Sequence, residues 1–220
     1  MVNEKSLDLE ICLRLVVFLC KMKIGGFIKT SLIDFPPYVC CVVFTQGCNF
    51  RCYYCHNPEL VYSKLFGPIV PMEEIFCYLL KRKNLIDGVV FCGGEPTIQS
   101  DLFEVIYKIK NMGFLIKLDT NGSNPEVLEK VLPFIDYVSF DIKAPLQEEK
   151  YKLVCRTKVD VSKIIESINI LRNSNLQYEF RTTFDPTVMP EEWISEIQSF
   201  ILPKEKYIKR YAKFDKIKFC

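Results

Sequence analysis

Three cysteines stand within eight residues, Cys48, Cys52 and Cys55, in the spacing Cys-x3-Cys-x2-Cys. As thiolates they are soft ligands, and three on one loop can face a single soft metal centre. A [4Fe–4S] cluster ordinarily takes four cysteines. Three would leave one iron without a protein ligand, and an open iron can bind substrate. Two other chemistries use the same residues. Structural zinc prefers four ligands, and the fourth would be His56, the only histidine in the chain. It directly follows Cys55, and neighbouring side chains on an extended loop diverge, so one tetrahedron holding both is strained. A redox pair such as Cys52-x2-Cys55 usually opens a helix of a thioredoxin-like unit, and the surrounding sequence does not read that way.

Other polar groups recur further along, each after or within an apolar run. Gly93-Gly94-Glu95-Pro96 follows residues 88–92. Its two glycines let backbone approach a ligand closely, and Glu95 can accept hydrogen bonds from an ammonium. Taken alone, a Gly-Gly turn after a strand is commonplace. Asp119 and Asn121 follow residues 114–118 and read equally as a solvated turn. Asp141 and Lys143, two apart after residues 136–140, point to one side of an extended chain. Unsupported, such a pair is a surface ion pair of little worth. Arg181 lies inside the run 177–184, as a site residue or as a structural charge.

To bring these groups together the chain needs strands that end beside one another. Residues 39–45 form an unbroken apolar run, suited to a strand buried on both faces, and Gly47 permits a sharp turn before the first thiol. Ahead of it, 23–35 reads as a short strand or hairpin. Further strands are expected at 88–92, 114–118, 136–140, 177–184 and 207–212. Helices are expected at 71–84, with Ile75, Leu79 and Leu80 on one face and acids in the first turn. They are also expected from a Ser100 or Asp101 cap through Met112, and at 125–132, 162–173 and 191–202. The stripe of 162–173 is Ile164, Ile165, Ile168 and Leu171. Alternating strands and helices imply a parallel sheet with right-handed crossovers, and sites in such sheets gather just after the strands. Six units are too few for a closed eight-stranded barrel. The fold class is α/β, and a partial, open (βα)6 barrel fits.

At 220 residues, 49% of them hydrophobic, the chain suits one domain with a sizeable core. A formal net charge of +2 gives no polyanion footprint, which leaves nucleic acid binding unsupported. Eleven cysteines without the spacings of a secreted scaffold point to a reducing cytoplasm. Cys40, Cys41, Cys77, Cys92 and Cys155 read as small buried hydrophobes. Residues 1–21 form an N-terminal extension. Its apolar part, 11–20, is too short to span a bilayer and lacks a basic flank and a cleavage site. The extension is either a short helix packed on the domain or sequence ahead of a start at Met22. The domain itself is 22–220.

The Cys-x3-Cys-x2-Cys loop followed by these post-strand motifs resembles the radical S-adenosylmethionine (radical SAM, AdoMet) enzymes. In that family the open iron of a [4Fe–4S] cluster chelates AdoMet, and the fold is a partial (βα)6 barrel. By this resemblance Cys48, Cys52 and Cys55 hold one cluster. Gly93, Gly94 and Glu95 match the motif that binds the methionyl amino group. Tyr54 and His56 flank the third cysteine, where the family contacts adenine. Asp119 and Asn121 follow the third strand, with Asp119 matching an aspartate near the amino group. Asp141 and Lys143 match a pattern touching the ribose and carboxylate, and Arg181 an arginine lining the site.

The chain is most similar to activating proteins of the anaerobic ribonucleoside-triphosphate reductase. Gly25-Gly26-Phe27-Ile28-Lys29-Thr30-Ser31-Leu32-Ile33-Asp34-Phe35-Pro36 resembles the start of that group. Val43-Phe44-Thr45-Gln46-Gly47-Cys48-Asn49-Phe50-Arg51-Cys52 and His56-Asn57-Pro58-Glu59-Leu60 resemble its cysteine loop. Cys92 departs from the usual Ser or Thr, and after Pro203 the likeness ends. The resemblance implies reductive cleavage of AdoMet to a 5′-deoxyadenosyl radical, which takes a hydrogen from a glycine of the reductase. It implies a flavodoxin-like electron donor, no residue acting as acid or base, and no membrane. A small-molecule enzyme like 7-carboxy-7-deazaguanine synthase and a non-enzymatic metal module are the competing readings. The second would not need the motifs after the strands.

Overall fold

The central strands of this chain are buried on consecutive residues, as strands covered on both faces are, and the computed structural model, which describes residues 20–212, joins the strands in one sheet. The strands are β1 (Ile24–Ser31), β2 (Cys40–Thr45), β3 (Gly88–Gly93), β4 (Leu115–Thr120), β5 (Tyr137–Asp141), β6 (Gln177–Phe184) and β7 (Lys206–Tyr211). They lie side by side in sequence order. β1 runs antiparallel to β2, and every later pair is parallel. A sheet that always steps to the next strand, with helices between, winds in one direction as a barrel does. Among the described residues β1 and β7 do not pair, so the winding stays open. The expected partial barrel of six parallel strands is present, with β1 added as an antiparallel edge.

The helices are α1 (Met72–Lys81), α2 (Leu102–Asn111), α3 (Pro125–Val131), α4 (Glu148–Cys155), α5 (Val161–Arg172) and α6 (Glu191–Phe200). On α2, Leu102, Val105, Ile106 and Ile109 are buried, the i, i+3, i+4, i+7 stripe that docks a helix on a sheet. They join the main core with the outward residues of the strands, among them Val43, Phe91, Leu118, Phe140 and Phe180. A smaller cluster on the other face gathers Phe35, Cys40, Val42 and Val90, with Phe44 and Cys92 against it. Alternate residues of one strand therefore face the helices and the inside of the winding.

Several expectations change. The helix expected over 71–84 stops at Lys81, and Phe76 is buried on it while Leu80 is only partly so. Ile165, placed on the buried stripe of α5, is 37% exposed, and Ser167 takes the inward position. Asp101 occupies the N-cap position of α2 without capping it; its carboxylate instead accepts from Ser100 Oγ and from the Lys21 N–H. After α3, Pro133 belongs to a separate 3-10 turn, Leu132–Phe134. Helix α4 is absent from the sequence reading. It is short and half charged, and only Tyr151, Val154 and Cys155 are buried on it. The reading of 1–21 as an extension falls, but for its last two residues, outside the described residues. So does the end of the stretch after Pro203.

Candidate functional site

The cysteine loop leaves β2 through Gly47, whose φ of +103° is a conformation L side chains rarely adopt. Its entry is stapled to the end of β3: the Gly94 N–H donates to the Thr45 carbonyl at 2.8 Å and the Glu95 N–H to the Gly47 carbonyl at 2.9 Å. A Cβ on Gly94 would lie 1.8 Å from the Gly47 oxygen. Glycine is thus demanded at 94 by the protein's own backbone, a reason additional to any ligand. Within the loop, the Arg51 guanidinium donates to the carbonyls of Cys48 and Phe50 at 2.5 and 2.8 Å. The Phe50 N–H donates to Cys48 Sγ at 3.3 Å.

One cavity of about 260 Å³ receives what the sequence singled out. The loop contributes Cys48, Cys52, Tyr54, Cys55 and His56, and the end of β3 contributes Gly93, Gly94 and Glu95. Strand ends β4 to β6 contribute Asp119, Asn121, Asp141, Lys143 and Arg181. Tertiary structure thus brings all thirteen predicted site residues together. Cys92, expected as a buried hydrophobe, is partly exposed and lines the same cavity, as do Phe50, Thr183 and Arg210. Arg210 comes from β7, beyond the part of the sequence that carried a motif.

The charged groups form a chain. Arg181 Nη1 donates to Asp119 Oδ2 at 2.8 Å and Arg181 Nε to Asp141 Oδ1 at 2.9 Å, while Lys143 Nζ donates to Asp141 Oδ2 at 2.9 Å. With 9% of its side chain exposed, Arg181 is no surface charge. Burial alone would raise the Asp141 carboxyl, but Arg181 and Lys143 outweigh it and hold it well below the usual carboxylate range. Lys143 is held well above its ordinary value: burial would lower it, and the Asp141 charge prevails. The same ammonium favours the thiolate form of all three loop cysteines. Burial pushes Cys48 up to about 12 and raises Cys55. Cys52 is lowered to about 7, chiefly by its interaction with the Cys155 thiol.

Two of the expected residues also make hydrogen bonds within the protein. Glu95 is 1% exposed, and its carboxylate is committed to the protein. Oε1 accepts from the Thr97 N–H, Thr97 Oγ1 and Thr120 Oγ1, and Oε2 from the Asn121 N–H. It clasps the β3 and β4 ends together, and burial raises its pKa against those bonds, which favour the charged form. Asn121 Nδ2 donates to Asn49 Oδ1 at 3.0 Å, tying β4 to the cysteine loop. Both act by holding the cavity's shape.

Unsatisfied groups remain for a ligand. Tyr54 OH and Asp119 Oδ1 are buried without a hydrogen-bond partner, and both residues line the cavity. Lys117 Nζ lies 3.4 Å from Asp119 Oδ1 as an ion pair; buried polar atoms ordinarily make hydrogen bonds, so this oxygen and the Tyr54 phenol beside three thiols fit a polar cofactor. Among the described residues no three His, Cys, Asp or Glu side chains converge on a single-ion site. A cubane asks for something else, one thiolate at each of three corner irons, and the donor set suits it. A larger cavity, about 970 Å³, opens at the opposite strand ends around Tyr137, Glu179 and Lys206. It contains none of the thiols, and four of its charges are paired, Lys206 with Glu179 at 2.6 Å and Arg172 with Glu205 at 2.8 Å. Among the described residues no helix is long and apolar enough to cross a membrane.

Comparison with known proteins agrees with this geometry. The family model described as Radical SAM superfamily matches residues 42–202. A Methanocaldococcus jannaschii protein named for glycyl-radical enzyme activation is 36% identical over 85% of this chain and 78% of its own length. The pyruvate formate-lyase-activating enzyme of Clostridium pasteurianum is 34% identical over 67% of this chain and 65% of its own. The 7-carboxy-7-deazaguanine synthase of Thermococcus kodakarensis is 31% identical over 71% and 69%. Among solved structures, Streptococcus suis SuiB bound to S-adenosylmethionine superposes with a TM-score of 0.60 at 16% identity. That match covers 78% of this chain and 40% of that one, a likeness of fold.

Proposed function

Since the chain belongs to the radical SAM superfamily and is an enzyme of it, we propose that it activates a glycyl-radical partner, the anaerobic ribonucleoside-triphosphate reductase. The superfamily's cofactors are a [4Fe–4S] cluster and AdoMet. When bound, they supply a one-electron reductive cleavage whose carbon radical abstracts hydrogen from a glycine Cα. The observation that carries the reading is the meeting of three thiols and a buried ion chain in one cavity at the C-terminal strand ends.

In this reading Cys48, Cys52 and Cys55 hold the cluster, and the Lys143 ammonium offsets the negative charge of their thiolates. Asp119 Oδ1 accepts from the methionyl ammonium. Lys143 and Asp141 face the carboxylate and ribose, and Tyr54 and His56 flank the adenine. Gly93 and Gly94 keep that wall free of side chains, and Glu95, Asn121 and Arg181 fix the positions of the rest. None of them moves a proton in the reaction; their part is placement and exclusion of water. The open winding between β1 and β7 is the route by which a partner's glycine loop reaches the cavity. A flavodoxin-like protein supplies the electron.

Support for the reductase as target comes from the segments 25–36 and 43–60, which resemble its activators. The 31% likeness to 7-carboxy-7-deazaguanine synthase favours, as the second reading, a small heterocycle in place of a protein glycine. One anaerobic experiment separates them. Reduced protein, AdoMet and the candidate reductase are mixed, and an electron paramagnetic resonance spectrum is recorded. A glycyl doublet that disappears when the reductase's glycine is replaced by alanine is the expected result. AdoMet cleavage with turnover of a heterocycle and no radical on the reductase would move the assignment to the second reading.

A further inference from the structure

Among the described residues β7 pairs with β6 alone, so one row of its backbone N–H and C=O groups has no strand beside it. Lys206, Ile208 and Arg210 alternate along the inner face of β7 and line the larger cavity, while Tyr207 between them packs on the main core. The rim of that cavity carries Ile33, 85% exposed, and Leu202, 50% exposed. Arg210 is the only described residue that lines both this cavity and the one holding the thiols. The two spaces adjoin at its side chain. A groove therefore runs beside β7 from an apolar rim to the thiol cavity.

The ion pairs along this path leave two cations over. Lys206 has Glu179 at 2.6 Å and Arg172 has Glu205 at 2.8 Å. In the thiol cavity Lys143 has Asp141 at 2.9 Å and Arg181 has Asp119 at 2.8 Å. Lys204 at the rim and Arg210 at the inner end have no counter-ion among the described residues, and both are exposed.

We propose that this groove seats an extended segment of the protein substrate along β7, with an acidic side chain of that segment on Arg210. The proposal rests on the reading of the chain as a glycyl-radical activase. Strand addition to a free sheet edge supplies main-chain hydrogen bonds, and alternate side chains of the added segment enter the groove. Ile33, Leu202 and Ile208 receive apolar ones. An arginine takes a carboxylate through two parallel N–H bonds, so it fixes register as well as affinity. At the border of the thiol cavity, register decides which carbon of the partner stands before the cofactors. AdoMet is the other carboxylate within reach. In the present reading Lys143 faces that group, and Arg210 opens on the second cavity, which has no thiols.

The test compares wild type with Arg210→Glu, Arg210→Lys and Ile33→Asp. It reads the reductase concentration giving half-maximal glycyl-radical formation, AdoMet affinity by equilibrium dialysis, and Tm. Ile33 is exposed enough to be changed with little effect on the free protein. Arg210→Glu should raise the half-maximal concentration about ten- to a hundredfold, for a lost charge-assisted bond, and Arg210→Lys by much less. Ile33→Asp should raise it about tenfold, for apolar surface no longer buried on docking. AdoMet affinity should hold in all three. A half-maximal concentration unmoved in Arg210→Glu or in Ile33→Asp overturns the proposal and leaves the activase reading intact. So does a loss of AdoMet affinity in Arg210→Glu that matches the rise, which would give the arginine to the cofactor. A wild-type dimer split by Ile33→Asp would give the groove to a second copy. An equal fall in Tm in Ile33→Asp and on removal of residues 213–220 would give it to the chain's own end. Either result overturns the proposal. A wild type that places no radical on the reductase overturns the activase reading, and this proposal with it.

Discussion

The inside of the winding has two unlike halves. On β2 and β3 the inward residues are Cys40, Val42, Phe44, Val90 and Cys92, a small apolar cluster closed by Phe35. On β4, β5 and β6 they are Lys117, Asp119, Ser139, Asp141, Glu179 and Arg181, joined by hydrogen bonds and ion pairs. The outward faces of all five strands are apolar, because all pack on helices. The inward faces differ in that one half carries the ion pairs and the other packs apolar side chains. The cysteine loop departs from the apolar half and hangs its thiols over the boundary, where Lys143 reaches them. A stack of Val and Phe costs nothing to desolvate and supports the loop. A buried ion chain costs much to desolvate, and it persists here at the position where a zwitterionic cofactor would be recognised.

The difference is sharpest at Arg181. Replacing it by Leu removes the partner of two mostly buried carboxylates, Asp119 and Asp141, which show 20% and 27% side-chain exposure. Loss of one partner of a buried pair costs ~3–5 kcal/mol, roughly 10 °C or more in Tm for a chain this size. Thermal unfolding of the cluster-free protein measures it, and a shift of a degree or two would show the ion chain to be solvent-like after all.

Lys143→Ala should leave cluster content unchanged and weaken AdoMet ten- to a hundredfold, for a charge-assisted hydrogen bond worth about 1.5–3 kcal/mol. Equilibrium dialysis of the reconstituted protein reads this directly. Unaltered affinity would demote Lys143 to a partner of Asp141 alone.

Acid should weaken the charged half and spare the apolar one. The Asp141 carboxyl is depressed below its unfolded value of about 3.9. Its stabilising contribution is therefore fully present above about pH 4 and is lost as the pH falls below that. Denaturant unfolding between about pH 3 and pH 6 should show Asp141→Asn with a flatter acid limb than wild type. An identical limb would place the acid sensitivity elsewhere.

The smallest effect belongs to the apolar half. Val42→Ala removes two methyl groups from a residue 1% exposed, about 1.5 kcal/mol at ~0.8 kcal/mol per buried carbon. It should not change AdoMet affinity. Loss of binding in this variant would mean that the two halves are coupled through the loop.

Part of this was readable along the chain. The run ending at Thr45 reads as a doubly buried strand and is one, and the three thiols, read as ligands of a soft metal centre, line one cavity. Asp141 and Lys143 share a side of an extended chain, and the structure pairs them at 2.9 Å. Other features left no local trace. Glu95 reads as a ligand-binding acid, and nothing local shows that Thr97, Thr120 and Asn121 surround its carboxylate, two of them from the end of another strand and the residue after it. Arg181 was an even choice between site and scaffold because its two partners are 40 and 62 residues away. Helix α4 escaped because its buried stripe is three residues long, too few for periodicity to register. Arg210 sits beyond the last motif, and only the neighbour relation of β6 and β7 brings it to the cavity.

By itself the sequence determined the donor atoms and the strand-and-helix alternation, because ligand softness and burial period are properties of residue types and short spacings. Tertiary structure alone decided which acids remain available to a ligand and which are spent on the protein. It also decided that the end of α4 is fastened to the cysteine loop through the Arg51 and Tyr53 N–H groups. Both are matters of which groups meet across long separations, and hydrogen-bond capacity is used up only by what is actually in contact.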